Sequence, residues 1–316
     1  MTRNIRNIRT RMLATVVSND LMVNNNLRPR DRGAFLCRRQ CLSFRKVILM
    51  RNDFNNKVVW ITGASSGIGE ALAYAFSEVG ARLILSSRRA DELERVRSAC
   101  AHPAQVKVLP LDLLDIPSFG VRTAEAIAAF GQIDMLVHNG GISQRSLVIE
   151  TSLDVHRLVM ELDYFSYVAL TQAVLSHFVE RKAGYFVVVS SVMGKIGTPM
   201  RSAYAAAKHA LHGFFDCLRA EVFSLNIQVT ILTPGYIRTN IARNAVTKDG
   251  SPMGRSSDNI ESGLPAPKAA AQILRVLAAG KFEAYIGKTG QEKLGLLINR
   301  LAPGILIRRA PGLMPT

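Results

Sequence analysis

No run of about eighteen uncharged apolar residues occurs in the 316-residue chain, so nothing in it reads as a membrane-spanning helix. It also lacks a compact apolar stretch followed by a small-residue cleavage site near its start, which argues against secretion. Cysteine is scarce. The four present (Cys37, Cys41, Cys100 and Cys217) have the spacing of neither a metal site nor a disulfide framework, so a reducing, cytoplasmic setting is the expectation. Acidic residues are scarce at the two ends. Residues 1–52 hold twelve Lys and Arg against Asp20 and Asp31, and residues 264–316 hold eight against Glu283 and Glu292. Residues 53–263 carry twenty of each sign, so the formal net charge of +16 belongs to the ends. A nucleic-acid-binding domain would carry its basicity on the folded core, and this one balances.

What is present divides the chain in three. Residues 1–52 form a basic extension with an Asn run at Asn24 to Asn26 and no apolar periodicity. Its Arg-rich, acid-poor composition reads as a transit-like leader, as a basic disordered tail, or as a dispensable extension, with a start at Met50 giving a short polar lead-in. Residues 53–289 alternate short apolar runs with helical patterns. Residues 290–316 are basic and apolar, with LGLLINRLAPGILIRR at 294–309.

The alternation predicts strands at 58–61, 82–86, 106–109, 133–137, 185–189, 227–232 and 282–286. It predicts helices at 68–79, 91–101, 117–129, 152–180, 202–223 and 269–279. Apolar runs separated by helices argue a parallel sheet covered on both faces. With right-handed crossovers, the fold class is α/β: a single Rossmann-type, doubly wound domain of about seven strands. Residues 236–262, rich in Asn, Ser, Gly and Pro, read as an irregular loop with one short helix.

Two motifs carry chemistry. Thr62-Gly63-Ala64-Ser65-Ser66-Gly67-Ile68-Gly69 lies between the first apolar run and a helix, where a dinucleotide pyrophosphate sits. Gly63 permits the tight turn, Gly67 lets backbone approach phosphate, and Gly69 lets the helix pack on the strand. Far downstream, Tyr204 and Lys208 stand four apart, on one helix face. A free tyrosine, with a pKa near ~10, is a poor acid–base group at neutral pH. An ammonium one turn away stabilises the phenolate, which is the physical case for Tyr204 as acid/base beside Lys208. At the end of the second predicted strand, a carboxylate would select NAD by repelling a 2′-phosphate. Ser87, Arg88 and Arg89 stand there instead, and arginine grips phosphate, so NADP(H) is the expected cofactor.

The TGxxxGxG spacing, the YxxxK pair and Ser191 thirteen residues before Tyr204 together resemble the short-chain dehydrogenase/reductase family, from about Asn55 to Arg243. The resemblance implies that Ser191 hydrogen-bonds the substrate oxygen, with Ser190 the weaker candidate, and that Lys208 also binds the nicotinamide ribose. It assigns Ser65, Ser66 and Ile68 to the phosphate turn, and Asp112 with Leu113 to the adenine. Asn139-Gly140-Gly141 takes the place of the family's Asn-Ala-Gly. Pro234, Gly235 and Thr239 resemble the segment that holds the carboxamide. His138 replaces a usual Asn and reads as a strand-end residue rather than a catalytic base. Asp163 stands where the family has an Asn supporting a water that reaches the lysine, and Ser166 where Gly is usual. A carboxylate there would hold Lys208 charged yet oppose a neighbouring phenolate, shifting the pH optimum for oxidation to the alkaline side.

The stretch from Ser202 to Phe215 looks like the branch of 11β-hydroxysteroid dehydrogenase-like and related reductases. That likeness implies a lipophilic carbonyl or alcohol substrate, and a homodimer or homotetramer paired through helices 152–180 and 202–223. The 294–309 segment reads as a helix covering the core or a subunit contact, broken at Pro303-Gly304, or as a basic amphipathic anchor making peripheral membrane contact. A catalytically weak NADP-binding protein, serving as sensor or scaffold, is the alternative; Asp163 and Gly140 are its support.

Overall fold

The computed structural model describes residues 53–288, 290–309 and 312. The readings of residues 1–52, with Cys37 and Cys41, lie outside the described residues.

Seven parallel strands form the central sheet: β1 (Val58–Thr62), β2 (Arg82–Ser86), β3 (Val106–Val108), β4 (Met135–His138), β5 (Gly184–Val189), β6 (Ile227–Pro234) and β9 (Glu283–Ile286). Their spatial order is β3-β2-β1-β4-β5-β6-β9. The apolar runs build this sheet because both of its faces are covered. In β1, Val59 and Ile61 enter one core cluster while Val58 and Trp60 enter the other. Period-two side-chain alternation therefore buries every residue of the strand, which is why the run shows no polar face. Helices α1 (Gly67–Glu78), α2 (Ala90–Ala99) and α8 (Ala266–Ala278) pack the first face through Leu72, Phe76, Leu93, Ile273 and Leu277. Helices α3 (Phe119–Phe130), α5 (Ser166–Arg181) and α6 (Ser202–Glu221) pack the second through Phe119, Phe178, Leu211 and Phe215.

Where the sequence predicts one helix over 152–180, the structure has α4 (Leu153–Met160), a π-helical turn over Glu161–Phe165, and then α5. A continuous apolar stripe cannot reveal a one-residue insertion into the helical ladder, and such wide turns recur at functional sites. The 236–262 stretch is more ordered than a loop. Its strand β7 (Ile237–Arg238) pairs with β8 (Leu264–Pro265), its short helix α7 spans Asp258–Glu261, and Val246 bridges to Gln144. At the C-terminal end, α9 (Gln291–Leu301) and α10 (Pro303–Arg309) meet at Pro303. Glu292 accepts from the Tyr236 N–H at 3.0 Å and from the Tyr285 hydroxyl, docking α9 on the domain. Leu297 and Leu301 remain 52% and 73% exposed, so the apolar face of α9 does not join either core. No described helix is long and apolar enough to cross a membrane.

Candidate active site

A cleft of about 420 Å³ opens at the carboxyl ends of the strands, where sheet order reverses beside β1. Every site residue predicted from sequence lines it except Gly69. The glycine turn is shaped by close approach. Gly63 has φ +64°, and a Cβ there would lie 2.6 Å from Gly140 Cα; Gly67 has φ +62°. Gly69 does the packing work expected of it, since a Cβ would sit 2.3 Å from the Gly63 carbonyl oxygen. Ser66 precedes α1 without a side-chain capping hydrogen bond. The first N–H groups of α1 thus face the cleft with no side-chain acceptor, an arrangement fitted to a pyrophosphate.

Around this turn the predicted residues hold one another in place. Asn139 donates its amide to the carbonyls of Thr62 and Gly63 at 3.1 and 3.2 Å, tying the end of β4 to the glycine turn. Asp112 accepts from Leu114 N–H at 3.0 Å, turning the chain after β3. Arg88 and Arg89 are both exposed at the end of β2, and Arg89 reaches Ser65 Oγ at 3.4 Å. Sequence reasoning missed Arg95 on α2, which donates to the Ser65 carbonyl at 3.4 Å and pairs with Glu70 at 2.8 Å. Its distance along the chain from the turn gave no signal.

The catalytic candidates converge from three elements. Tyr204 and Lys208 share one face of α6, with the Lys208 Nζ 5.6 Å from the Tyr204 ring centre and 5.2 Å from that of Tyr167. Ser190 and Ser191 follow β5 but point into different bonds. The Ser190 hydroxyl is bonded to the Lys208 carbonyl at 3.2 Å and lies 3.1 Å from His212 Nε2. Ser191 Oγ accepts from Met193 N–H at 3.1 Å, which leaves its own proton free to donate.

Asp163 lies in the π turn with no exposure, and Lys208 is 4% exposed. Asp163 Oδ1 accepts from Ile142 N–H at 2.8 Å, and Oδ2 stands 3.2 Å from Lys208 Nζ. That ion pair is close but poorly aligned, since Oδ2 makes no hydrogen bond while Nζ donates to the Val189 carbonyl at 3.3 Å. Burial pushes the Asp163 carboxyl up against the pull of Lys208. Burial works equally against the ammonium of Lys208, and there the Asp163 carboxylate wins, raising Lys208 and keeping it charged. A Cβ on Gly141 would come within 3.0 Å of both Asp163 oxygens, so glycine makes room for the carboxylate.

His138 has no exposure, stacks on Tyr167 with ring centres 4.8 Å apart, and bonds Thr171 Oγ1 at 2.9 Å. Burial alone holds its pKa down to about 3, so it is a neutral core residue outside the cleft lining. Sequence reasoning missed two further basic residues. Arg201 lines the cleft three positions before Tyr204 and donates to Ser143 Oγ at 2.6 Å; Arg145, 8% exposed, lies behind it. Basic side chains are ordinarily solvated, so nothing in the sequence marked Arg145 as buried and Arg201 as half-buried.

Residues 57–250 match the family described as short chain dehydrogenase. Over 258 residues the chain is 42% identical to dehydrogenase/reductase SDR family member 7B of Mus musculus, covering 80% of each chain. It is 41% identical over 262 residues to dehydrogenase/reductase SDR family protein 7-like of Drosophila melanogaster, covering 81% of this chain and 79% of that one. A solved short-chain dehydrogenase from Streptomyces avermitilis superposes with a TM-score of 0.69 at 30% identity, covering 81% of this chain and 96% of the other. Family match, relatives and shared sheet agree with the geometry of the cleft: the chain belongs to the short-chain dehydrogenase/reductase family and is an oxidoreductase with a nucleotide-cofactor site.

Proposed function

We propose that the protein is an NADP(H)-dependent reductase that interconverts a carbonyl and an alcohol on a lipophilic substrate. The observation that carries this reading is the convergence of Ser191, Tyr204 and Lys208 on the same cleft as the glycine turn. A nicotinamide nucleotide held by the glycine turn and Lys208 would supply or accept the hydride at the carbonyl carbon. Tyr204 gives its proton to the oxygen as the alcohol forms, or takes it back in oxidation. Ser191 donates a hydrogen bond to that oxygen and fixes it against the tyrosine. Lys208, held charged by Asp163, stabilises the phenolate and holds the ribose hydroxyls. Ile142, Val192, Met193, Tyr236 and Ile260 give the substrate side an apolar wall suited to a lipophilic body.

NADP(H) is favoured by Arg88 and Arg89 at the end of β2, where no carboxylate stands to repel a 2′-phosphate. Subunit pairing through α5 and α6, and peripheral membrane contact through the exposed apolar and basic face of α9 and α10, belong to the same proposal. The test is steady-state oxidation of NADPH with a panel of lipophilic ketones, comparing the wild type with Tyr204→Phe. Turnover that disappears in the variant supports the reading. A wild type that binds NADPH and reduces none of the panel favours the sensor or scaffold.

A further inference from the structure

We propose that the substrate end of the cleft is built to hold an anion: Arg201, backed by Arg145, takes a carboxylate or phosphate carried by the carbonyl substrate itself. This deepens the reductase reading and rests on it. Some arginines have their own carboxylates, such as Arg95 with Glu70, Arg181 with Asp134 and Arg219 with Asp216. Others without one, such as Arg88 and Arg89, are exposed, whereas Arg145 is only 8% exposed. Arg201 and Arg145 appear in no ion pair among the described residues. Arg201 has the Ser143 hydroxyl at 2.6 Å. Arg145 has the Ser257 hydroxyl at 3.3 Å, and its Nε has no hydrogen-bond partner.

The charged and titratable groups that act on the pair are each other, Arg255, and the phenols of Tyr204 and Tyr236. No carboxylate is among them. Burial, then the neighbouring Arg145, holds the Arg201 guanidinium down to about 10, and burial is likewise the main influence lowering Arg145. Arg145 is buried and Arg201 half-buried. Holding two like charges so withdrawn from water without a counter-charge is costly, and a ligand that supplies the missing charge offsets that cost. A guanidinium fork matches both carboxylate and phosphate.

The cofactor's own phosphates are accounted for elsewhere. The glycine turn faces the pyrophosphate, and Arg88 and Arg89 flank the end of β2. Arg201 touches Ser143, beyond the Asn139–Gly141 turn, and lines the same cleft as Tyr204. Against the apolar side chains of Val192, Met193 and Ile260, a cation at this point selects an amphipathic substrate with an acidic group near its carbonyl.

The experiment uses the full chain with NADPH and three ketones of equal chain length, ending in a methyl, a carboxylate or a phosphate monoester. The expected result is a kcat/KM about tenfold or more higher for at least one acidic ketone than for the neutral one. That ratio should fall to near one in Arg201→Gln. Which acid is preferred decides between carboxylate and phosphate. Equal values for all three in the wild type, or a preference that survives Arg201→Gln, overturns the proposal. A binding arm runs in parallel: decanoate, decyl phosphate and decanol titrated into the NADPH complex by calorimetry. Selective binding of an acid supports the anion site even if no ketone turns over, in which case it is the reductase reading that fails. Equal binding of acid and alcohol overturns the site. Arg145→Gln is a second variant should Arg201→Gln not fold, and the wild-type comparisons need no variant.

Discussion

The two ends of the cleft handle charge in opposite ways. At the end of β2, Arg88 and Arg89 are exposed, and beside them the helix α1 opens from a glycine turn without a side-chain cap. At the other end, Asp163, Lys208 and Arg145 are buried to 8% exposure or less. Water screens the first set, so it can grip a phosphate and release it, with each contact of modest strength. Within the second set, Asp163 and Lys208 interact through a low-dielectric interior, where removing one charge is felt by the other. Binding at one end is therefore a sum of small, separable contacts. Chemistry at the other depends on a coupled group that cannot be edited one residue at a time without a large response.

The sharpest way to break this comparison is to damage one end and watch the other. Tyr204→Phe should lower turnover by about 10³-fold, the usual worth of a positioned acid–base group, while NADPH binding stays intact. Lost nucleotide binding would show instead that the two ends are not separable, which binding titration beside kinetics would reveal. Next in size is the exposed end. Replacing Arg88 and Arg89 together by Ala should raise the KM for NADPH about 30-fold and leave that for NADH nearly unmoved, because a charge-assisted contact is worth about 1.5–3 kcal/mol. An equal loss for both nucleotides would mean that the arginines serve the loop and not the 2′-phosphate.

The buried end should answer through pH. Asp163→Asn removes a carboxylate 3.2 Å from Lys208, which leaves the ammonium free to favour a phenolate. The rising limb of the oxidation profile should move about one unit to lower pH, a shift read from kcat/KM across pH. An unmoved profile would show that the carboxylate does not act on the reacting proton.

The smallest effect concerns stability. Burial holds His138 down to about 3 and, chiefly, His212 to about 4, against an ordinary histidine value of 6.5. The unfolded chain therefore binds more protons between those values, and stability present above pH 6.5 is lost as pH falls through that window. The slope is about 1.4 kcal/mol per unit for each histidine. Urea midpoints at pH 7 and pH 5 should fall less in His138→Asn than in the wild type. An identical fall would assign the acid sensitivity to other groups.

The fold was legible because both faces of the sheet are buried. Val58 to Ile61 shows an unbroken apolar run, the mark of a strand enclosed by helices on either side. The glycine turn and the Tyr204–Lys208 pair were legible because their chemistry fixes spacing along a single element. The substitution at Asp163 could be seen, yet its setting in a π turn, with a bond from Ile142, could not, since a wide turn leaves the apolar stripe intact. Arg145 and Arg201 left no trace because their meaning lies in one being buried and the other half-buried with no carboxylate beside them, a property of three dimensions. His138 could be placed at the end of a strand, whereas its stacking on Tyr167 depends on α5 packing against the second face of the sheet.

The central claim, an NADP(H) site joined to a proton-transfer site in one cleft, is tested most directly by melting the full chain with NADPH, NADP⁺, NADH and NAD⁺ in turn. At a hundred times Kd, a nucleotide should stabilise the fold by about 2.7 kcal/mol, a rise in Tm of about 5–10 °C for a domain of this size. The account predicts that rise with the two phosphorylated nucleotides and little with the others at the same concentration. A rise with NADH and NAD⁺ alone, or with none of the four, would contradict it.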